Sequence, residues 1–176
     1  MNAKLPWLLL VPSALVAPPA HATVYLTVAQ AQATLFPGET LLPAFRTLDA
    51  KQAAAIKQAS GVAPLSPQLK AWRASGGGWL IIEQVIGKHD YITYALALDP
   101  SGAVKSVEIM EYRENYGDQV KLPKWRAQFV GKRAGAGVRM GKDIRNISGA
   151  TLSCTHVTDG VRRLLATYAI VLAARG

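Results

Sequence analysis

The chain has one cysteine, Cys154, and three histidines among its 176 residues. A single thiol excludes an internal disulfide, and so few histidines leave no ligand cluster with zinc spacing. A c-type haem attachment is excluded in the same way, since no C-x-x-C-H occurs. No run of five basic residues occurs either, although the net charge is +9. The basic doublets Lys132-Arg133 and Arg162-Arg163 read as ordinary solvated surface. Basicity without a recognised motif argues against nucleic acid as a partner. It leaves an anionic membrane surface or an acidic protein as the chemistry it suits. No apolar run reaches the ~20 residues of a membrane-spanning helix. A parallel βαβ pattern is also missing. Gly135, Gly137 and Gly141 are spaced one residue too long for a dinucleotide fingerprint and therefore read as a loop.

What is present begins at the N-terminus. Lys4 precedes an apolar stretch from Leu5 to Val16, interrupted by Pro6 and Pro12, and the stretch ends at Ala20-His21-Ala22. This is the pattern of a secretory signal peptide over residues 1–22, cleaved after Ala22 to leave Thr23 first. Export to the periplasm is the expectation. The whole chain is half hydrophobic and 18% charged, a composition that closes one core.

Residues 23–78 read as a helical extension. Thr27 caps one helix that stops at Pro37-Gly38, and Asp49 caps a second that ends at Gly61. Ser66 and Pro67 are read as the start of a third helix, ended by Gly76, Gly77 and Gly78. The period then changes to that of strands. "GWLIIEQVIG", "YITYALALD" and "AVKSVEIMEYRE" predict a three-stranded antiparallel meander. "LPKWRAQFVG" predicts a helical turn with Trp125 and Phe129 on one face. The closing helix is expected from about Ser153 to Ala174. Together these give an α+β fold: a twisted antiparallel sheet packed on helices, with a long C-terminal helix.

The entrance to that last helix, Ser148-Gly149-Ala150-Thr151-Leu152-Ser153, crowds small and hydroxyl-bearing residues. A helix N-terminus offers unpaired N–H groups and positive dipole, and so holds phosphate well. Gly149 and Ala150 permit close approach to the backbone, Ser148, Thr151 and Ser153 supply hydroxyls, and Lys142 and Arg145 supply charge. A plain capping turn with Gly149 left-handed satisfies the same residues. Chemistry alone leaves both readings open.

"SGATLS" resembles the S-G-A-T-[ILV]-[ST] signature of the FMN-binding domain family. That family includes the periplasmic flavin subunits of the sodium-pumping NADH:quinone reductase and of the Rnf complex. "YALALDPSGAVKSVEIMEYRENYG" resembles the family's strand–turn–strand followed by a Glu-Thr-x-Gly loop, here Glu114-Asn115-Tyr116-Gly117, and "LPKWRAQFVGK" resembles its segment ending in Phe-x-Gly. The resemblance implies an FMN-binding domain over residues 79–176, with FMN bound by residues 114–117 and 148–153 and esterified through its phosphate to Thr151. It implies maturation by a flavin transferase and a flavin that takes electrons from one partner and passes them on; with no nicotinamide site in the sequence, electron relay is expected rather than substrate turnover. Tyr116 and Leu152 are the side chains expected against the flavin ring. Asn115 replaces the usual Thr. Arg145 stands where the transferase motif has Asp, so both covalent and non-covalent FMN stay open. A cytochrome or a membrane reductase is the expected redox partner, met by docking, with peripheral contact to a membrane. The alternative is a cofactor-free exported binding module in which SGATLS only caps a helix.

Other candidates carry less. Ser153 and His156, three apart, lack an orienting acid for hydrolase chemistry. Cys154 reads as a small packing residue. Glu108 and Glu111 are expected on opposite sides of the sheet.

Overall fold

The computed structural model describes residues 22–173. The signal peptide expected over residues 1–22 therefore lies, apart from Ala22, outside the described residues. Seven strands form one antiparallel array. They are β1 (Thr23–Val24), β2 (Leu41–Pro43), β3 (Arg46–Thr47), β4 (Gln68–Ala74), β5 (Trp79–Ile86), β6 (Tyr91–Leu98) and β7 (Val104–Tyr112). The order is β1-β7-β6-β5-β4-β2, with β3 pairing to β4 beyond β2. Strands β5 to β7 are the expected meander.

Two helices of the N-terminal stretch form as expected. Thr27 and Asp49 each close a capping box with a Gln three residues on, opening α1 (Val28–Leu35) and α2 (Ala50–Ser60). The third expected helix does not form. Residues 68–74 are β4, because Leu69 and Ala71 point to one apolar face while Trp72 and Ala74 point to the other. That period of two, with ladder partners on β5 and β2, outweighs the Ser66-Pro67 start signal. The N-terminal stretch thus holds strands as well as helices.

The sheet separates two cores. One face packs Ile81, Tyr94, Leu96, Val107 and Ile109 under α4 (Thr151–Thr167), whose Cys154, Val157, Val161 and Leu164 point inward. The other face packs Trp72, Leu80, Ile82, Ala95 and Ala97 under α1. Each such large side chain contributes roughly 1.5–3 kcal/mol of transfer free energy. Gly160 lets α4 approach closely: a Cβ there would lie 2.6 Å from Tyr94 Oη and 2.7 Å from Val85 Cγ1. The helix continues through a π turn at Tyr168–Leu172.

Two sequence expectations fail here for identifiable reasons. Register shifts along the β6–β7 ladder leave Lys105 and Met110 as extra residues. The second shift returns Glu108 and Glu111 to the same side of the sheet, opposite Ala95 and Thr93. Each carboxylate is tied to its own cation, Arg126 and Arg113. Arg162 and Arg163 are not a solvated face. Arg163 is 2% exposed. Its guanidinium meets Glu83 at 2.7 and 3.1 Å, and Glu83 also accepts from Tyr94 Oη at 2.8 Å. Arg162 donates to the carbonyls of Ser60 and Val138, joining α2 to the loop before α4.

Candidate functional site

The chain enters α4 through a turn in which Gly149 has φ +84°, a left-handed value suited to glycine. Ala150 is the N-cap, and no side chain caps the helix. The crowded hydroxyls are therefore not spent on capping. Thr151 is exposed. Its Oγ1 accepts a hydrogen bond of 2.9 Å from Asn146 Nδ2. Ser148 and Leu152 are exposed beside it, whereas Ser153 turns inward and is 4% exposed.

The second motif meets the first. Tyr112 Oη, at the end of β7, bonds Ser153 Oγ at 2.8 Å and donates to the Tyr116 carbonyl at 2.5 Å. Burial pushes the Tyr112 hydroxyl above its ordinary pKa, and the bond to Ser153 acts against that shift. Gly117, at φ +91°, sits against this pair. A Cβ there would lie 2.7 Å from Ser153 Oγ, 2.8 Å from Tyr112 Oη and 3.5 Å from Ala150 Cα. Residues 117 and 150–153 thus form one continuous wall.

The rest of the 114–117 loop divides. Asn115 is exposed, and Tyr116 is 87% exposed. Glu114 turns to the β5–β6 hairpin, where its Oε1 accepts from the backbone N–H of His89 and, at 2.9 Å, of Asp90. Burial tends to raise its pKa, but the backbone N–H groups of Asp90, His89 and Lys88 outweigh it and hold the carboxyl below its ordinary value. Glu114 is therefore a latch on the hairpin rather than a side chain aimed at Thr151.

A cavity of about 510 Å³ lies on the other side of Asn146. Its apolar lining is Leu122, Trp125 and Ile147, and its polar lining is Lys124, Gln128, Asp143, Arg145 and Asn146. Trp125 belongs to a short helix, α3 (Pro123–Arg126), and stacks edge-on with Phe129 at 5.2 Å as the four-residue spacing predicts. The wall is braced through the backbone. Trp125 Nε1 donates to the Arg145 carbonyl at 2.8 Å, and Arg145 N–H donates to Gln128 Oε1 at 2.8 Å. Asp143 is engaged by Arg139 at 3.5 Å, and the Arg145 side chain is exposed. Tyr116 and Leu152 are not part of this lining.

Asn146, Gln128 and Tyr112 were not singled out by sequence reasoning. Their roles depend on partners 5 to 41 residues away. The Phe-x-Gly resemblance pointed toward the segment that holds Trp125 and Gln128, and the four-residue spacing to Phe129 pointed to Trp125. Ser153 bonds Tyr112 and does not form a pair with His156, which removes the hydrolase reading. Among the described residues no group of three or more His, Cys, Asp or Glu could hold a metal ion.

An exposed hydroxyl at an uncapped helix N-terminus, beside a partly apolar cavity rimmed by cations, defines a site for a flat ligand with an anionic tail. Residues 87–166 match the family model described as FMN-binding domain, the family that SGATLS and the 114–117 loop resemble. FMN is its cofactor. No curated protein matches the chain. The family match covers β6 through most of α4 and includes both the 114–117 loop and SGATLS. It overturns the cofactor-free alternative, and the missing side-chain cap on α4 removes the structural role that alternative gave to SGATLS. The residues fit the cofactor: the open N–H groups of α4 and Arg145 suit a phosphate, and Leu122, Trp125 and Ile147 suit an aromatic ring.

Proposed function

We propose that the FMN is esterified to Thr151 and that the protein is an exported carrier relaying electrons between redox partners. The observation that carries this reading is the setting of the Thr151 hydroxyl: exposed, held by Asn146, and next to a cavity within the 300–1,000 Å³ range of small-molecule sites. In the attachment step, performed by a separate flavin transferase, Oγ1 would form a bond to the flavin-bearing phosphorus of a flavin dinucleotide, the pyrophosphate P–O bond of that donor would break, and the nucleoside monophosphate would leave as the hydroxyl proton is lost, so that the FMN unit stays intact on Thr151.

Bound FMN supplies reversible one- and two-electron chemistry. The chain's own residues bind and orient it. The first-turn N–H groups of α4, with Arg145, would hold the phosphate charge, each such interaction contributing about 0.3–2 kcal/mol. Asn146 fixes the rotamer of Thr151, and the Leu122–Trp125–Ile147 wall keeps water from one side of the ring. A covalent tether keeps the cofactor in place outside the cytoplasm, consistent with the apolar N-terminal segment and its Ala20-His21-Ala22 end. Among the described residues no helix is long and apolar enough to cross a membrane. In this reading the partners are met by docking.

Co-expression with a flavin transferase tests the reading. The denatured protein is expected to keep yellow fluorescence and to gain the mass of one FMN minus one water, and Thr151→Ala is expected to lose both. A denatured protein that releases all its flavin overturns the ester.

A further inference from the structure

The basic residues are unevenly placed. Residues 121–145 hold eight of the twenty Lys and Arg but one of the eleven acids, so this stretch carries +7 of the net +9. In the fold it builds the α3 side of the cavity and the loop leading to α4. Part of this charge is neutralised locally: Lys121 pairs with Asp118, Arg126 with Glu108 and Arg139 with Asp143. Lys124, Lys142 and Arg145 are exposed, and none of them makes an ion pair with a described residue. Lys124 and Arg145 line the cavity, and Lys142 adjoins the lining residue Asp143. Leu122, 46% exposed, lies among them.

We propose that this rim is the docking surface for an acidic protein redox partner, which it brings to the mouth of the flavin site. The proposal rests on the electron-relay reading above. Unpaired like charges around one opening reinforce each other within a Debye length and steer an oppositely charged surface toward it. A protein fits better than a lipid surface. Surface-seeking segments use a long amphipathic helix, whereas α3 and the 3-10 turn Ala127–Phe129 that follows it, the helical pieces of this rim among the described residues, span four and three residues. A relay must also bring its ring close to a second cofactor, and a protein partner carries one.

The probe is cytochrome c in two forms: native, with a basic surface, and succinylated on its lysines, with an acidic one. The photoreduced holoprotein gives two electrons and two protons per FMN, and each ferric haem takes one electron. The acidic form is expected to be reduced on the order of tenfold faster at about 0.01 M ionic strength. The preference should fade toward 1 M, where the Debye length is about 3 Å. It should disappear in Lys124→Glu/Lys142→Glu and persist in Lys51→Glu/Lys57→Glu, whose charges lie on α2. Equal rates for the two forms, or a preference insensitive to salt and to the rim variant, overturn the proposal. Binding to phosphatidylglycerol vesicles that the rim variant loses, without preference between the cytochromes, overturns it in favour of a membrane. A protein without flavin fails at the earlier reading instead. Calorimetric binding of succinylated cytochrome c to that protein then reads the rim by itself, and its absence overturns the proposal.

Discussion

Gly117→Ala and Gly149→Ala add the same methyl group at the same kind of backbone, φ +91° and +84°, in opposite surroundings. At Gly149 nothing lies within 4 Å of the added carbon. The cost there is the left-handed backbone alone, about 1–2 kcal/mol. At Gly117 the carbon would lie 2.7 Å from Ser153 Oγ and 2.8 Å from Tyr112 Oη. It must part a buried hydroxyl pair, which adds about 1–3 kcal/mol for a polar group left unsatisfied. Urea titration measures both, with unchanged slope as the check that compactness is preserved. Each kcal/mol corresponds to about 2–4 °C in Tm for a chain of this size. The Gly117 variant is therefore expected to melt several degrees below the Gly149 variant. Equal losses would refute the close packing of the 114–117 loop on α4.

Three further outcomes follow from the same geometry. Glu83→Ala removes the counter-charge of a guanidinium that is 2% exposed and is expected to cost about 3 kcal/mol in denaturant, more than Arg163→Met, which leaves no buried cation behind. The folded pKa of Glu114 lies below the ordinary 4.5, so its stabilisation is fully present above that pH and is lost as pH falls through the folded value. Hydrogen exchange at His89 and Asp90 should accelerate in that acid range, and Glu114→Gln should remove the pH dependence. Cys154 is buried and burial pushes its thiol pKa up, so iodoacetamide should leave it unmodified in the native protein and label it after denaturation.

The elements most legible in the sequence were those with local rules. Thr27 and Asp49 cap their helices because the capping box needs only four residues, and the meander follows from strands joined by short turns. Ser66-Pro67 misled because a start signal says nothing of the ladder that β2 and β5 offer to residues 68–74. The side of Glu111 was lost to a bulge at Met110, which period-two reasoning cannot foresee. Arg163 looked like surface because its partner Glu83 lies 80 residues away. At the site, SGATLS was readable as a motif, and the meeting of Gly117 with Ser153 gives the two motifs a common wall. The hydrogen bond from Asn146 and the cavity behind it were not readable, since both depend on how the 122–147 segment folds back on itself.

The most direct measurement is the position of the flavin on the chain. Trypsin cleaves after Arg145 and Arg162 and releases residues 146–162, which hold five hydroxyls at Ser148, Thr151, Ser153, Thr155 and Thr158. Tandem mass spectrometry of the fluorescent peptide is predicted to place the whole FMN increment on Thr151, the hydroxyl exposed at the start of α4. An increment on any of the other four, or a peptide with none, would contradict the account.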